Sequence, residues 1–144
     1  MTYNQIVNNI KSLLQSHPMI HEVRFATPTE WLGWDNQPLL PVASFSITNG
    51  FIKIGREITY NVQFWFLDKS GVEGEFETDV ISDQHQIAFD IVSSLRQNTK
   101  FTIEDNIQWN AVSEKFEDYL SGVNLTFSIS TLGEFNACDF PITT

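Results

Sequence analysis

Cysteine is almost missing from this sequence, in which Cys138 is the one thiol. A single cysteine excludes an intrachain disulfide framework and fits assembly in a reducing compartment. Basic residues are also few: 8 lysines and arginines stand against 18 aspartates and glutamates, which gives a formal net charge of −10. A surface of this sign repels phosphate backbones, so sequence-specific binding to DNA or RNA is not expected.

Long apolar runs are lacking as well. No stretch approaches the ~20 residues of a membrane-spanning helix, and the first residues do not form the basic, then apolar, pattern of a signal peptide. We therefore expect a soluble protein without a targeting segment. The 144 residues, of which 42% are hydrophobic, predict a single domain over 1–144 with its own core.

Motifs that carry chemistry are missing too. The sequence has no G-x-S-x-G, C-x-x-C or H-E-x-x-H motif, and no glycine-rich phosphate loop followed by lysine. His17 and His21 lie on either side of Pro18, which breaks the spacing that would place two imidazoles on one helical face. We expect a protein that is not an enzyme, with no catalytic residues, metal site or cofactor.

Two segments have helical periodicity. Apolar residues at three- and four-residue spacing predict a helix over residues 3–16, with Thr2 as its N-cap. A similar spacing from Val80 to Leu95 predicts a second helix from about Asp79 to Arg96.

Alternation of apolar and polar residues predicts the strands. The clearest are GREITYNVQFWFLDK (55–69) and VNLTFSIS (123–130), with shorter or weaker ones at 23–27, from Pro41 onward and at 107–111. Asn49-Gly50 predicts a tight turn after the Pro41 strand. The expected fold is α+β: an antiparallel sheet of about four to five strands with two helices packed on it.

The strand at 55–69 has an unusual second face. One face is a continuous apolar row from Ile58 to Phe66, whereas the other begins polar and becomes apolar at Trp65 and Leu67. Either the protein's own chain or another molecule must cover these two residues.

A long non-periodic loop, 28–41, is rich in large apolar residues, namely Trp31, Trp34, Leu39 and Leu40. Loops of this length in compact domains are usually functional or disordered, and two tryptophans fit disorder poorly. Two interpretations stay open: the loop covers the domain's own core, or it docks on a neighbouring subunit. Phe135 and Phe140 in the tail 131–144 present the same choice.

Acidic residues alternate along the connection before the second helix, at Glu73, Glu75, Glu77 and Asp79. The simplest interpretation is a solvated hairpin tip. If several copies surrounded a channel, the same tip would line it with negative charge and keep passing DNA from adhering.

Four strings carry a resemblance to a known family: GREITYNVQFWFLD at 55–68, the helix from Asp79 to Arg96, FEDYLSGVNLTFSIS at 116–130, and NACDFP at 136–141. In these strings the sequence resembles the tail-terminator and tail-completion proteins of tailed bacteriophages, head-tail connector rings, and in particular the tail ring proteins of crAss-like phages.

The resemblance implies a structural virion protein that forms a homo-oligomeric ring of about six or twelve copies at the head-tail junction or in the tail barrel. Portal, adjacent ring or tail tube proteins would be its neighbours, and genomic DNA would pass through without sequence-specific binding. The sheet would continue into, or pack against, that of the next subunit. The protein would be assembled in the host cytoplasm and reside in the virion.

A closed ring needs two unlike surfaces on each copy, and the Trp65 end of the long strand and the tryptophan loop are the two candidates. The residues expected at the subunit interface are Trp31, Trp34, Leu39, Leu40, Trp65, Leu67, Phe135 and Phe140. The candidate residues facing the lumen are Glu73, Glu75, Glu77 and Asp79.

Two other functions stay open. One is a small-ligand-binding or enzymatic α+β domain, in which Tyr60, His85 and a carboxylate converge on a pocket of the sheet. The other is an acidic inhibitor that mimics DNA; the net charge supports it, whereas the modest density of acidic residues and the many aromatic residues oppose it.

Overall fold

The structure is a computed structural model and describes residues 2–31, 33–34, 38–53, 57–71, 76–98, 101–113 and 120–132. Over this part of the chain the fold is α+β, with three helices and one six-stranded sheet. The helices are α1 (Tyr3–Gln15), α2 (Pro28–Trp31) and α3 (Glu77–Gln97). The strands are β1 (Glu22–Phe25), β2 (Val42–Lys53), β3 (Glu57–Lys69), β4 (Thr102–Ile103), β5 (Gln108–Val112) and β6 (Leu120–Leu132).

Both predicted helices are confirmed. The Thr2 hydroxyl accepts a hydrogen bond from the Gln5 backbone N–H at 3.2 Å, and the Gln5 side chain accepts one from the Thr2 N–H at 2.8 Å, which forms a capping box. Helix α3 starts slightly earlier than predicted, so that Glu77 and Asp79 lie in its first turn, where the helix dipole favours negative charge. None of the helices in the described ranges is long and apolar enough to cross a bilayer.

Strand β3 is the centre of the sheet, whose order is β1-β2-β3-β6-β4, with β5 also paired to β6. The predicted antiparallel pairing is correct for every strand except β1, which runs parallel to β2, and the strand count is higher than predicted. A parallel pair needs a long crossover, which residues 26–41 supply. Helix α2 is a single turn within the predicted loop 28–41.

Strand β2 does not turn at Asn49-Gly50, and the turn predicted there is wrong. Both residues pair with β3, and β2 continues to Lys53. Glycine is needed at position 50 because β2 and β3 approach each other closely there. A Cβ atom on Gly50 would lie 1.9 Å from the carbonyl oxygen of Thr59.

The pairing of β2 with β3 shifts in register between Ile47 and Asn49. A bulge of this kind exchanges the two faces of a strand. Ile47 therefore faces the helices before the shift, and Gly50 and Ile52 occupy that face after it.

Helices α1 and α3 cover one face of the sheet and form the main core with it. Phe64 is at its centre, with the ring centroids of Phe45, Phe66 and Phe127 at 5.8, 6.2 and 5.3 Å. The helix residues buried against these rings include Ile6, Ile10, Leu14, Ile87, Ile91 and Leu95. The apolar rows predicted for β3 and β6 are confirmed.

The opposite face of the sheet, here called the open face, is polar along the middle of β3 and β6. The Ser128 hydroxyl donates to Asn61 Oδ1 at 2.6 Å, and Asn61 Nδ2 donates to Asn49 Oδ1 at 2.8 Å. These three uncharged side chains therefore provide hydrogen-bond partners for one another.

Gly122 allows a second close approach, in the interior of β6. A Cβ atom there would lie 1.8 Å from the carbonyl oxygen of Phe66, so we expect Gly122→Ala to force β3 and β6 apart and lower the free energy of unfolding by about 2–3 kcal/mol. Gly33→Ala is the control, since its Cβ would make an ordinary contact at 3.4 Å. Urea unfolding followed by circular dichroism measures both; equal stabilities for the two variants would contradict the close approach.

Candidate functional site

The chain itself covers the apolar end of β3. Trp31, Val42, Leu67 and Leu120 belong to a second buried cluster on the open face, and Trp65 packs against it. Trp31 is 1% exposed and Leu67 is 0% exposed, so neither side chain is accessible to a neighbouring subunit. Of the two interpretations of loop 28–41, the structure supports the one in which the loop covers the domain's own core, and the predicted interface is corrected at Trp31 and Leu67.

Arg24 holds this loop in place from β1. Its guanidinium carbon lies 5.4 Å from the centroid of the Trp31 ring and 5.3 Å from that of the Trp34 ring, between which it makes cation–π contacts. Its Nε donates to Glu22 Oε2 at 2.6 Å, so the buried guanidinium has an ionic partner. The sequence analysis did not single out Arg24. Its position on the polar row of a short strand, next to a tryptophan-rich loop, is nevertheless a pattern that indicates cation–π contacts.

The other predicted site residues have mixed outcomes. Leu40 is partly buried against the second cluster, whereas Trp34 and Leu39 are more than half exposed and available for contact. Glu77 and Asp79 lie at the start of α3. The residues Glu73, Glu75, Phe135 and Phe140 lie outside the described residues.

A first exposed apolar surface, the β2-end surface, surrounds Gly50. Phe51 and Ile52 are 60% and 63% exposed. Beside them is a cleft of about 480 Å³ whose walls include Tyr3 and Tyr60. Burial, together with the neighbouring Tyr3, raises the pKa of Tyr60 above its ordinary value.

A second exposed apolar surface, the α3–β5 groove, lies at the other edge of the sheet, also on its helix-facing side. It has a volume of about 320 Å³ and is lined by His85, Phe89, Ile107 and Trp109, among others. Phe89 and Trp109 are 63% and 52% exposed, and the His85 ring packs edge-on against the Trp109 ring at a centroid distance of 4.9 Å. The helices cover the middle of the sheet but leave the helix-facing side of β5 open.

Hydrogen bonds fix the outer wall of this groove. Arg96 donates to the carbonyl oxygens of Asp105 and Glu104 at 2.7 and 3.4 Å. Glu104 Oε1 accepts from the Ser128 backbone N–H at 2.9 Å, at the point of β6 that neither β4 nor β5 pairs. The turn before β5 is therefore held to both α3 and β6.

Groups capable of chemistry are dispersed over the described residues. Tyr60 lines the cleft beside Gly50, whereas His85 lines the α3–β5 groove, so the two residues of the predicted ligand pocket do not converge. His17 Nε2 lies 3.0 Å from Asp90 Oδ2 and links the end of α1 to α3. In the described ranges, no three His, Cys, Asp or Glu side chains are grouped so that they could hold a metal ion.

The two tryptophans of loop 28–41 should contribute very differently to stability. We expect Trp31→Ala to lower the free energy of unfolding by about 3–5 kcal/mol, because it empties the second cluster. Trp34→Ala should cost about 1 kcal/mol or less, the scale of one exposed cation–π contact. Denaturant unfolding monitored by far-ultraviolet circular dichroism tests this, and losses of similar size would refute the burial of Trp31 in the chain's own core.

Comparison with models of known protein families finds no match to this sequence, and a search of curated proteins finds none either. The surfaces of the chain itself therefore carry the functional proposal.

Proposed function

We propose that this chain is a structural virion subunit of a tailed phage that assembles into a closed ring of identical copies at the head-tail junction or in the tail barrel. The observation that carries the proposal is the pair of exposed apolar surfaces, the β2-end surface and the α3–β5 groove. They are lined by different residues and lie toward opposite edges of one sheet. Exposed apolar patches mark interaction sites, and a ring of identical copies needs two unlike patches on each copy.

The strings that resemble phage ring proteins coincide with the centre of the fold. Three of them fall mainly on β3, α3 and β6, which pack together around Phe64. This location supports a shared scaffold for the ring, whereas the surfaces that dock on neighbours lie elsewhere.

The net charge of −10 suits a ring around DNA. An acidic wall repels the phosphate backbone and does not displace the counterions condensed on the DNA, so DNA would pass without binding. In this proposal, the exposed Trp34 and Leu39 contact portal, adjacent ring or tail tube proteins above or below the ring.

A small-ligand-binding or enzymatic domain is the second candidate, and the α3–β5 groove is the observation that favours it. The groove has the size of a small-molecule site and offers His85 and Arg96 beside apolar walls. Ligand binding would require neither a contact between copies nor the exposed β2-end surface.

The mass of the purified chain separates these functions. We expect light scattering over a wide concentration range to show one discrete oligomer, and negative-stain images of that species to show closed rings. The rings should not slow the migration of duplex DNA in a gel, because of their charge. A monomer at every concentration, with no rings in the images, would overturn the assembly proposal and favour the ligand-binding one.

A further inference from the structure

We propose that neighbouring copies join by strand addition: residues 106–110 of one copy, which include the start of β5, pair antiparallel with the outer edge of β2, from Asn49 to Lys53, of the next copy. This inference rests on the proposed ring assembly and assigns its subunit contact to particular strands. The proposed contact differs from the interface expected from the sequence at Trp31 and Trp65, because the chain itself covers these two side chains.

Strand β5 is an unprotected edge. It pairs with β6 on one side, and within the described ranges no strand pairs with its other side. Natural edge strands are usually protected by charge, proline or a bulge, yet QWNAV at 108–112 has none of these and is exposed over its first four residues. Its free backbone groups lie beside the α3–β5 groove, which is the geometry that receives an added strand and its side chains.

The distal part of β2 is a second free edge. Strand β1 pairs only with Val42–Phe45, and beyond it the described residues of β2 pair with β3 alone. This part of the strand carries the exposed Phe51 and Ile52, which face opposite sides of the sheet. The main core therefore cannot cover both of them.

The faces of the two edges match when Gly50 is placed opposite Trp109. Both positions face the helix side of the sheet, as do Ile52 and Ile107, which then also lie opposite each other. Gly50 has no side chain, and the cleft of about 480 Å³ beside it has room for the Trp109 indole. The helix-facing parts of both surfaces, at Ile52 and Trp109, therefore become covered by one contact.

The same register also matches polarity. Asn49 lies opposite Asn110 on the open face, where the two amides can exchange hydrogen bonds. Lys53 comes opposite Asn106, so that two polar side chains meet at the end of the pairing. A second copy of this chain is thus the occupant that fits the groove.

A mixed cross-linking experiment tests the pairing directly. In a Cys138→Ser background, one full-length chain carries Asn110→Cys and another, of distinguishable mass, carries Asn49→Cys. Directly opposed residues of antiparallel strands are close enough for a disulfide. Under mild oxidation we expect mixed disulfide dimers at least about tenfold in excess over either homodimer.

The matched control replaces Asn110→Cys with Ser94→Cys, since Ser94 is exposed on α3 but does not line the groove. This pair should give only background cross-linking. A preference for homodimers would show a two-fold contact and overturn the proposed pairing. A mixed yield no higher than that of the Ser94 control would overturn it as well.

A complementation experiment gives an independent test. Trp109→Ser disables the β5 side and Ile52→Asp disables the β2 side, and because both residues are exposed, each variant should keep the circular dichroism spectrum of the wild type. Each variant alone should be monomeric by light scattering. Their equimolar mixture should form dimers and nothing larger, because only one pair of intact surfaces remains.

The outcomes separate this inference from the ring proposal. Wild-type rings together with variants that assemble undiminished would overturn the strand pairing and leave the ring intact. A wild-type chain that stays monomeric, together with Asn49→Cys and Asn110→Cys chains that give no mixed disulfide, would overturn both.

Discussion

The fold depends on the packing of Phe64 in β3 between Phe45 of β2 and Phe127 of β6. Because β3 pairs with a neighbour on each side, this stack determines which face of three strands points toward α1 and α3. The open face is then free to be polar, and Asn49, Asn61 and Ser128 form hydrogen bonds with one another on it. The same geometry decides where apolar residues remain uncovered: at the distal part of β2, beyond the helices, and at β5, beyond α3.

Loop 28–41 and the two exposed surfaces have different roles in the molecule. The loop places Trp31 over Leu67 and uses Arg24 as a cation between two indole rings, so the apolar end of β3 is covered within one chain. Such burial stabilises the subunit but leaves it little to offer a partner. The exposed residues Ile52, Phe89 and Trp109 contribute little to the core and are therefore available for a contact between copies.

Much of the fold could be predicted from the sequence because α1, α3, β3 and β6 each bury one regular face. Such burial requires apolar residues at a regular spacing, which is visible in the sequence. The turn at Asn49-Gly50 was a wrong prediction because a glycine needed for close strand approach looks the same as a glycine needed for a turn. The parallel pairing of β1 depends on a crossover that has no local signal. The interface prediction suffered from a similar ambiguity, since tryptophan is favoured both in cores and at contacts. Trp109 and Phe89 were not predicted as contact residues, because Trp109 belongs to the apolar row of a predicted strand and Phe89 directly follows the apolar residues Ile87 and Ala88 of a predicted helix.

The positions of β5 and of the free part of β2 have a consequence for the geometry of the proposed ring. Strand β5 lies level with the first half of β6, whereas the free part of β2 lies level with its second half. Joining the two edges therefore displaces each copy along the strand direction and inclines the strands to the ring axis. A slip of two residues in this pairing would move a copy by about 7 Å and keep the same side chains on each face. Curvature and bore diameter could thus adapt to neighbours of different symmetry without any change in sequence.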